Sequence, residues 1–216
     1  MRFLTVISLL LLQLSAWAEL PRTTGPELAQ YLRSQQPEQA LEQKANLKTK
    51  AQNGKWSSVV LTMAVSAPTN GQWQSSYSTP TQTLTVTHNG DQVRYLLNQN
   101  TTTNINEAFS GSEFAIWEIG YDFLHWSQQT ILPNPTGLMR GRSYILLESR
   151  GTCVVRSFWD VQTGGLLEAE INDFKGKHLK DFYPKSFQKV NGHWCLHEAE
   201  MRNLQTGTRS IIELTK

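Results

Sequence analysis

From Gly54 to Lys216 the chain repeatedly alternates apolar with polar residues, and the pattern lapses only between Asn98 and Pro135. A period of two belongs to strands with one covered face and one wet face. Val59, Leu61, Met63 and Val65 alternate with smaller or polar residues, and Trp73, Ser75 and Tyr77 alternate with glutamines and Ser76. In TLTVTHNGDQVRYLL (83–97), Leu84 and Val86 alternate with threonines up to Asn89-Gly90, and Val93 and Tyr95 resume the pattern beyond it. Asn-Gly between two such runs predicts a tight hairpin. From Arg142 onward, Gly151, Gly164, Gly176, Gly192 and Gly207 punctuate long runs, which predicts an antiparallel meander. VQTG (161–164) and LQTG (204–207) are near copies. They predict one turn chemistry used twice, with the glycine at positive φ. Pro184 cannot donate to a ladder and predicts an edge, a bulge or a bend.

Two stretches have helical patterning. Gly25-Pro26-Glu27 predicts a helix start, with Leu28, Tyr31 and Leu32 on one stripe. Pro37 then predicts a second helix, with Ala40, Leu41 and Ala45 on its apolar side and Asn53-Gly54 at its end. In the lapse between strands, Ser110-Gly111-Ser112-Glu113 predicts the start of a short aromatic helix carrying Phe114, Trp117 and Tyr121, up to Leu124. The fold class that follows is α+β. Roughly ten strands form a curved antiparallel β-sheet, an incomplete barrel that wraps over N-terminal and mid-chain helices.

The opening MRFLTVISLLLLQLSAWA predicts a signal peptide over 1–18 and a periplasmic single domain over 19–216. Its apolar run is too short to span a bilayer, and nothing later is long enough, so the chain is not expected to be membrane-spanning. The formal charge is +2 and no block of Lys or Arg stands out, so nucleic acid is not an expected partner. Cys153 and Cys195 are an exported pair that could oxidise, and the sequence leaves their pairing open.

Candidate chemistry is sparse. In HWCLH, residues His193, Cys195 and His197 share one strand face and carry zinc- or copper-type donors. A strand triplet alone is a weak signal, so no metal is expected. There is no G-x-S-x-G elbow and no phosphate loop, and Glu168 and Glu170 read as a wet face. Neither an enzyme nor a cofactor is expected.

Four segments in order carry a family resemblance: Gly111 to Phe114, the Asp-x-x-Thr-Gly turn within Trp159 to Gly164, Lys189 to Trp194, and Met201 to Gly207. Together they resemble the LolA-like outer-membrane lipoprotein-sorting proteins, in their broad and largely uncharacterised branch, over roughly residues 110–215. The resemblance implies an incomplete barrel over helices, enclosing an apolar space that in the carrier takes lipoprotein acyl chains. Residues 66–108 carry no family motif, so no cargo-contacting residue transfers. The candidate cavity residues come from alternation and aromatic content instead: Val59, Leu61, Met63, Trp73, Tyr77, Leu84, Val86, Trp117 and Trp159. Two functions follow: a carrier for a lipid-like ligand such as lipoprotein acyl chains, or a non-catalytic structural or adaptor subunit with an envelope protein partner.

Overall fold

The computed structural model describes residues 24–133, 137–190 and 193–215, with backbone alone at 188–190 and 193–195. The predicted signal peptide and the turn at Asn191-Gly192 lie outside the described residues.

Helix α1 spans Gly25–Ser34. Thr24 caps it: its hydroxyl accepts from the Glu27 N–H while the Glu27 carboxylate accepts from the Thr24 N–H, a reciprocal box that satisfies two end donors. Leu28, Ala29 and Leu32 form its buried stripe.

The first half of the sheet comprises β1 (Leu41–Lys50), β2 (Trp56–Val65), β3 (Gln72–Ser78), β4 (Thr83–Asn89), β5 (Gln92–Leu97) and β6 (Asn100–Thr101). The second comprises β7 (Gln128–Leu132), β8 (Leu138–Met139), β9 (Arg142–Arg150), β10 (Val154–Asp160), β11 (Leu166–Asn172), β12 (His178–Val190), β13 (His193–Asn203) and β14 (Arg209–Leu214). All lie in one antiparallel sheet of order β6-β5-β4-β3-β2-β1-β14-β13-β12-β11-β10-β9-β7, with β8 paired to β9. The ends do not meet, so the sheet is open. Its two meanders join at β1 and β14, which pair from Ala45–Leu214 to Lys50–Arg209.

The second leading helix is not formed. Residues 41–50 are β1, paired with β2 along its whole length, from Leu41–Val65 to Lys50–Trp56. Leu41, Ala45 and Leu47 also fit a period of two, and pairing with two neighbours outweighs local helix preference. The mid-chain helix is likewise shorter than expected. A 3₁₀ turn at Phe109–Gly111 and another at Asp122–His125 flank α2, which is only Ile116–Ile119.

The repeated turn is as predicted. Gly164 and Gly207 have φ of 66° and 71°. Each loop is organised by a side chain that the copied tetrapeptides do not include. The Asp160 carboxylate accepts from the Gln162 N–H at 2.8 Å, and the Asn203 amide oxygen accepts from the Gln205 N–H at 3.0 Å. Pro184 sits at a bulge, where the β12–β13 register shifts between Pro184 and Ser186.

One face of the sheet is apolar and merges with α1 and the mid-chain residues into a single buried cluster. The other carries charge. There Glu200 is fully buried beneath Lys185 at 3.0 Å, Arg202 at 2.8 Å and Arg209 at 3.2 Å. Burial alone would raise its carboxyl, but hydrogen bonds from Arg202 and Lys185 overcome this and hold it down at about 2.

Candidate binding site

The site is the apolar face of the sheet together with the segment 109–126 that covers it. Leu61, Met63, Trp73, Tyr77, Leu84, Val86 and Trp159 are all buried on strands, and Trp117 is buried on α2. Val59 is different: it is 37% exposed. It shares the inward parity of Leu61 and Met63, but it lies on the part of β2 that runs beyond its pairing with β3 among the described residues.

Trp159 donates its indole N–H to the Ser157 hydroxyl at 2.8 Å, which satisfies its one polar atom. Trp117 tilts against Trp126, with centroids 5.5 Å apart. Between the covering segment and strands β10–β13 lies a cavity of about 20 Å³, lined among others by Trp117, Tyr121, Phe123, Val155, Phe182 and Met201. That is room for about one water, far short of a lipid tail. Aromatic side chains fill the space that the sequence reading left open for a guest.

The covering segment is held at two places. At its first half, the Glu113 carboxylate accepts from the Asn203 amide at 2.9 Å and the Thr208 hydroxyl at 2.5 Å. The Glu113 N–H donates to the Ser210 hydroxyl at 2.9 Å. Lys180 donates to both oxygens of buried Glu118 at 3.0 and 3.1 Å and to the Glu113 carbonyl at 2.7 Å. Burial pushes the Glu118 carboxyl up, against the pull of Lys180.

At its second half the partners are α1 and the β4–β5 turn. Arg33 donates to the Leu124 carbonyl and, at 2.9 Å, to the Asp91 carboxylate. A ring nitrogen of His125 meets the Asp91 carbonyl at 2.9 Å. Trp126 donates to Asp122 at 3.0 Å, and Gln129 donates to the Phe123 carbonyl at 2.8 Å. Nearby, His88 stacks on Trp73 with centroids 3.8 Å apart, and its Nε2 has no partner among the described residues. Burial, and then the neighbouring His125, push His88 down to about 3, so it is neutral at ordinary pH.

Gly120 and Tyr121 separate the two halves. Tyr121 has φ of 53°, a left-handed conformation uncommon for a bulky residue. A Cβ on Gly120 would lie 2.5 Å from the Tyr95 hydroxyl, so this position has no room for a side chain.

The thiol–imidazole triplet lies partly outside the described residues. His193 and Cys195 have side chains outside the described residues, and a ring nitrogen of His197 is engaged by the Ser186 hydroxyl at 3.1 Å. Cys153 is a free, half-buried thiol that burial pushes up to about 11. Sequence reasoning missed Arg33, Glu113, Glu118, Lys180 and His88. The partners of the first four lie far away in the chain, so no local spacing announces them, whereas His88 meets Trp73 across the β3–β4 hairpin.

No family model matches the chain, and no curated protein matches it. Solved structures do. An outer membrane lipoprotein-sorting protein domain from Vibrio parahaemolyticus superposes with a TM-score of 0.71 at 16% identity, over 89% of this chain and 90% of that one. A DUF1329 family protein from Desulfovibrio piger gives 0.70 at 13% identity, over 89% and 90%. A LolA superfamily protein from Nitrosomonas europaea gives 0.61 at 14% identity, over 90% and 92%. The chain shares their fold. The fold expected from the four C-terminal segments therefore extends well beyond them, over most of the chain.

Proposed function

We propose that this chain is a periplasmic carrier or sensor for a lipid-like ligand, with lipoprotein acyl chains as the leading class, made as a signal peptide (1–18) and one LolA-like domain (19–216). The observation that carries this reading is how the apolar face is covered. A second sheet or a set of long helices would seal it permanently. Here the cover is α1 and a broken segment whose one α-helical piece is four residues long. The sheet wraps over these helices, and the aromatic side chains of the segment stand where a tail would lie.

The space is closed in this state, so binding requires displacement. A lipid tail entering between the segment and β10–β13 replaces Trp117, Tyr121 and Phe123 against Val155, Phe182 and Met201. Each methylene buried there contributes about 0.8 kcal/mol. That offsets the cost of lifting the segment and explains how a side-chain-filled fold can still bind. The site offers no charged group to a tail except the Glu118–Lys180 pair, which lies under the first half of the segment.

Detergent-free purification followed by native mass spectrometry and lipid extraction tests the proposal. Co-purifying lipid, or a rise in melting temperature on adding a diacylated peptide, is the expected result. A bare polypeptide with no thermal response to acylated peptide would remove the carrier reading.

A further inference from the structure

Strand β2 is paired with β1 along its full length, but β3 begins to pair with it only at Thr62. Residues 56–61 therefore have one unpaired backbone edge among the described residues, in the interior of the strand order rather than at its ends. The sequence there is WSSVVL, and every residue from Trp56 to Val60 is exposed. Trp56 is 42% exposed and Val60 57%. By alternation both project from the face opposite Leu61. The stretch contains no charge, no proline and no bulge, the devices that ordinarily blunt a free edge.

The charge around it is one-sided. Between Glu42 and Asp91 the chain carries Lys44, Lys48, Lys50 and Lys55 and no carboxylate. Lys48 is paired with Glu213, whereas Lys50 and Lys55 make no ion pair among the described residues. Both flank Trp56, with Lys50 directly across the ladder from it, and Arg209 lies over its ring at 5.1 Å. Lys50, Lys55 and Arg209 thus gather at the N-terminal end of the free edge, whereas at the other end Lys44 alone stands across the ladder, opposite Thr62, beside the neutral β3–β4 turn.

We infer that the 56–61 edge of β2 is a strand-docking site for an extended segment of another protein, β-branched in its middle and acidic at its C-terminal end. Every pairing in this sheet is antiparallel, so the docked segment is taken as antiparallel too, and the charge then fixes which of its ends is acidic. A segment running antiparallel to β2 brings its C-terminal end to Trp56, Lys50 and Lys55. Main-chain hydrogen bonds to the free edge supply affinity, Trp56 and Val60 supply cross-strand apolar contacts, and the lysines select sign and orientation. This goes beyond the carrier reading and does not depend on it, because the edge lies outside the covered face.

The test uses three labelled peptides with a common Val-Thr-Val-Thr-Val core: one ending in two glutamates, one beginning with two glutamates, and one ending in two lysines. Fluorescence anisotropy should show the C-terminally acidic peptide binding at least about tenfold more tightly than the other two, with the difference shrinking at high salt. Lys50→Glu with Lys55→Glu should invert the preference between acid-ended and lysine-ended peptides. Hydrogen exchange on the wild-type protein should show new protection confined to amides within 56–61. Equal binding of all three peptides would overturn the proposal. So would protection appearing on the covered face, concentration-dependent self-association through this edge without peptide binding, or Trp56-dependent binding to anionic vesicles alone.

Discussion

Residues 109–118 reach the sheet through Glu113 and the buried Glu118–Lys180 pair, and residues 121–126 reach it through α1, the β4–β5 turn and the side chains of Tyr95 and Gln129. The first half is tied to three adjacent strands by Lys180, Asn203, Thr208 and Ser210, acting on Glu113 and Glu118. The second half is tied by Arg33 and by Asp91, whose side chain is 71% exposed. Buried ionic contacts are costly to break one at a time, whereas exposed ones are cheap. The difference separates a firmly anchored half from a more lightly tied one, with Gly120 and left-handed Tyr121 at the boundary. On the carrier reading proposed above, a ligand entering the covered face would lift residues 121–126 first.

Removing the anchor has the largest expected effect. Lys180→Met strands the Glu118 carboxylate in a buried site and should cost about 3–5 kcal/mol at neutral pH, measured by urea unfolding. The Glu118 carboxyl is already raised by burial, and losing Lys180 raises it further. The deficit should therefore shrink as pH falls and the carboxyl takes up its proton.

Gly120→Ala comes next. Its Cβ would collide with the Tyr95 ring, and about 1–3 kcal/mol is expected. Hydrogen exchange should quicken in residues 121–126 and not in 109–118. Equal quickening in both halves would break the distinction drawn between them.

Acid should loosen the second half through His88. Its ordinary value is 6.5 and the folded value about 3, so its contribution is complete above 6.5 and is lost as pH falls below it. The slope is about 1.4 kcal/mol per pH unit at most. Glu200, held at about 2 against an ordinary 4.5, acts in a lower window: its contribution is complete above 4.5 and is lost as pH falls towards 2. Between about pH 6.5 and 5, the His88→Phe variant should lose the acid sensitivity that the wild type shows in denaturant titrations.

The smallest effect belongs to Asp91→Asn. Global stability should change by less than about 1 kcal/mol, because the carboxylate is mostly exposed. Local exchange in 121–126 should still rise. A silent variant would show that Arg33 holds Leu124 without help.

The strands were legible in the sequence because their covered faces alternate without interruption, as at Leu61-x-Met63-x-Val65 and Leu84-x-Val86. The two turns were legible because glycine at positive φ has few substitutes. β1 was misread because ten residues of mixed polarity fit both periods, and only pairing with β2 and β14 decides between them. The mid-chain helix was overestimated because Phe114, Trp117 and Tyr121 recur at helical spacing, yet they are buried by tertiary contact rather than by a continuous helix. Val59 shares the inward parity yet stays partly exposed, because parity gives a face but not how far along the strand the cover extends. The electrostatic anchors were invisible, since Glu118 and Lys180 stand far apart in the chain and meet only in the folded sheet.

The strand order has a consequence for how the molecule is made. β14 follows all the other described strands in chain order, yet it sits between β13 and β1, in the middle of the sheet. Until it emerges, the two meanders have no seam, and the chain cannot complete its apolar face. Removing β14 therefore splits the sheet through the centre instead of trimming a border.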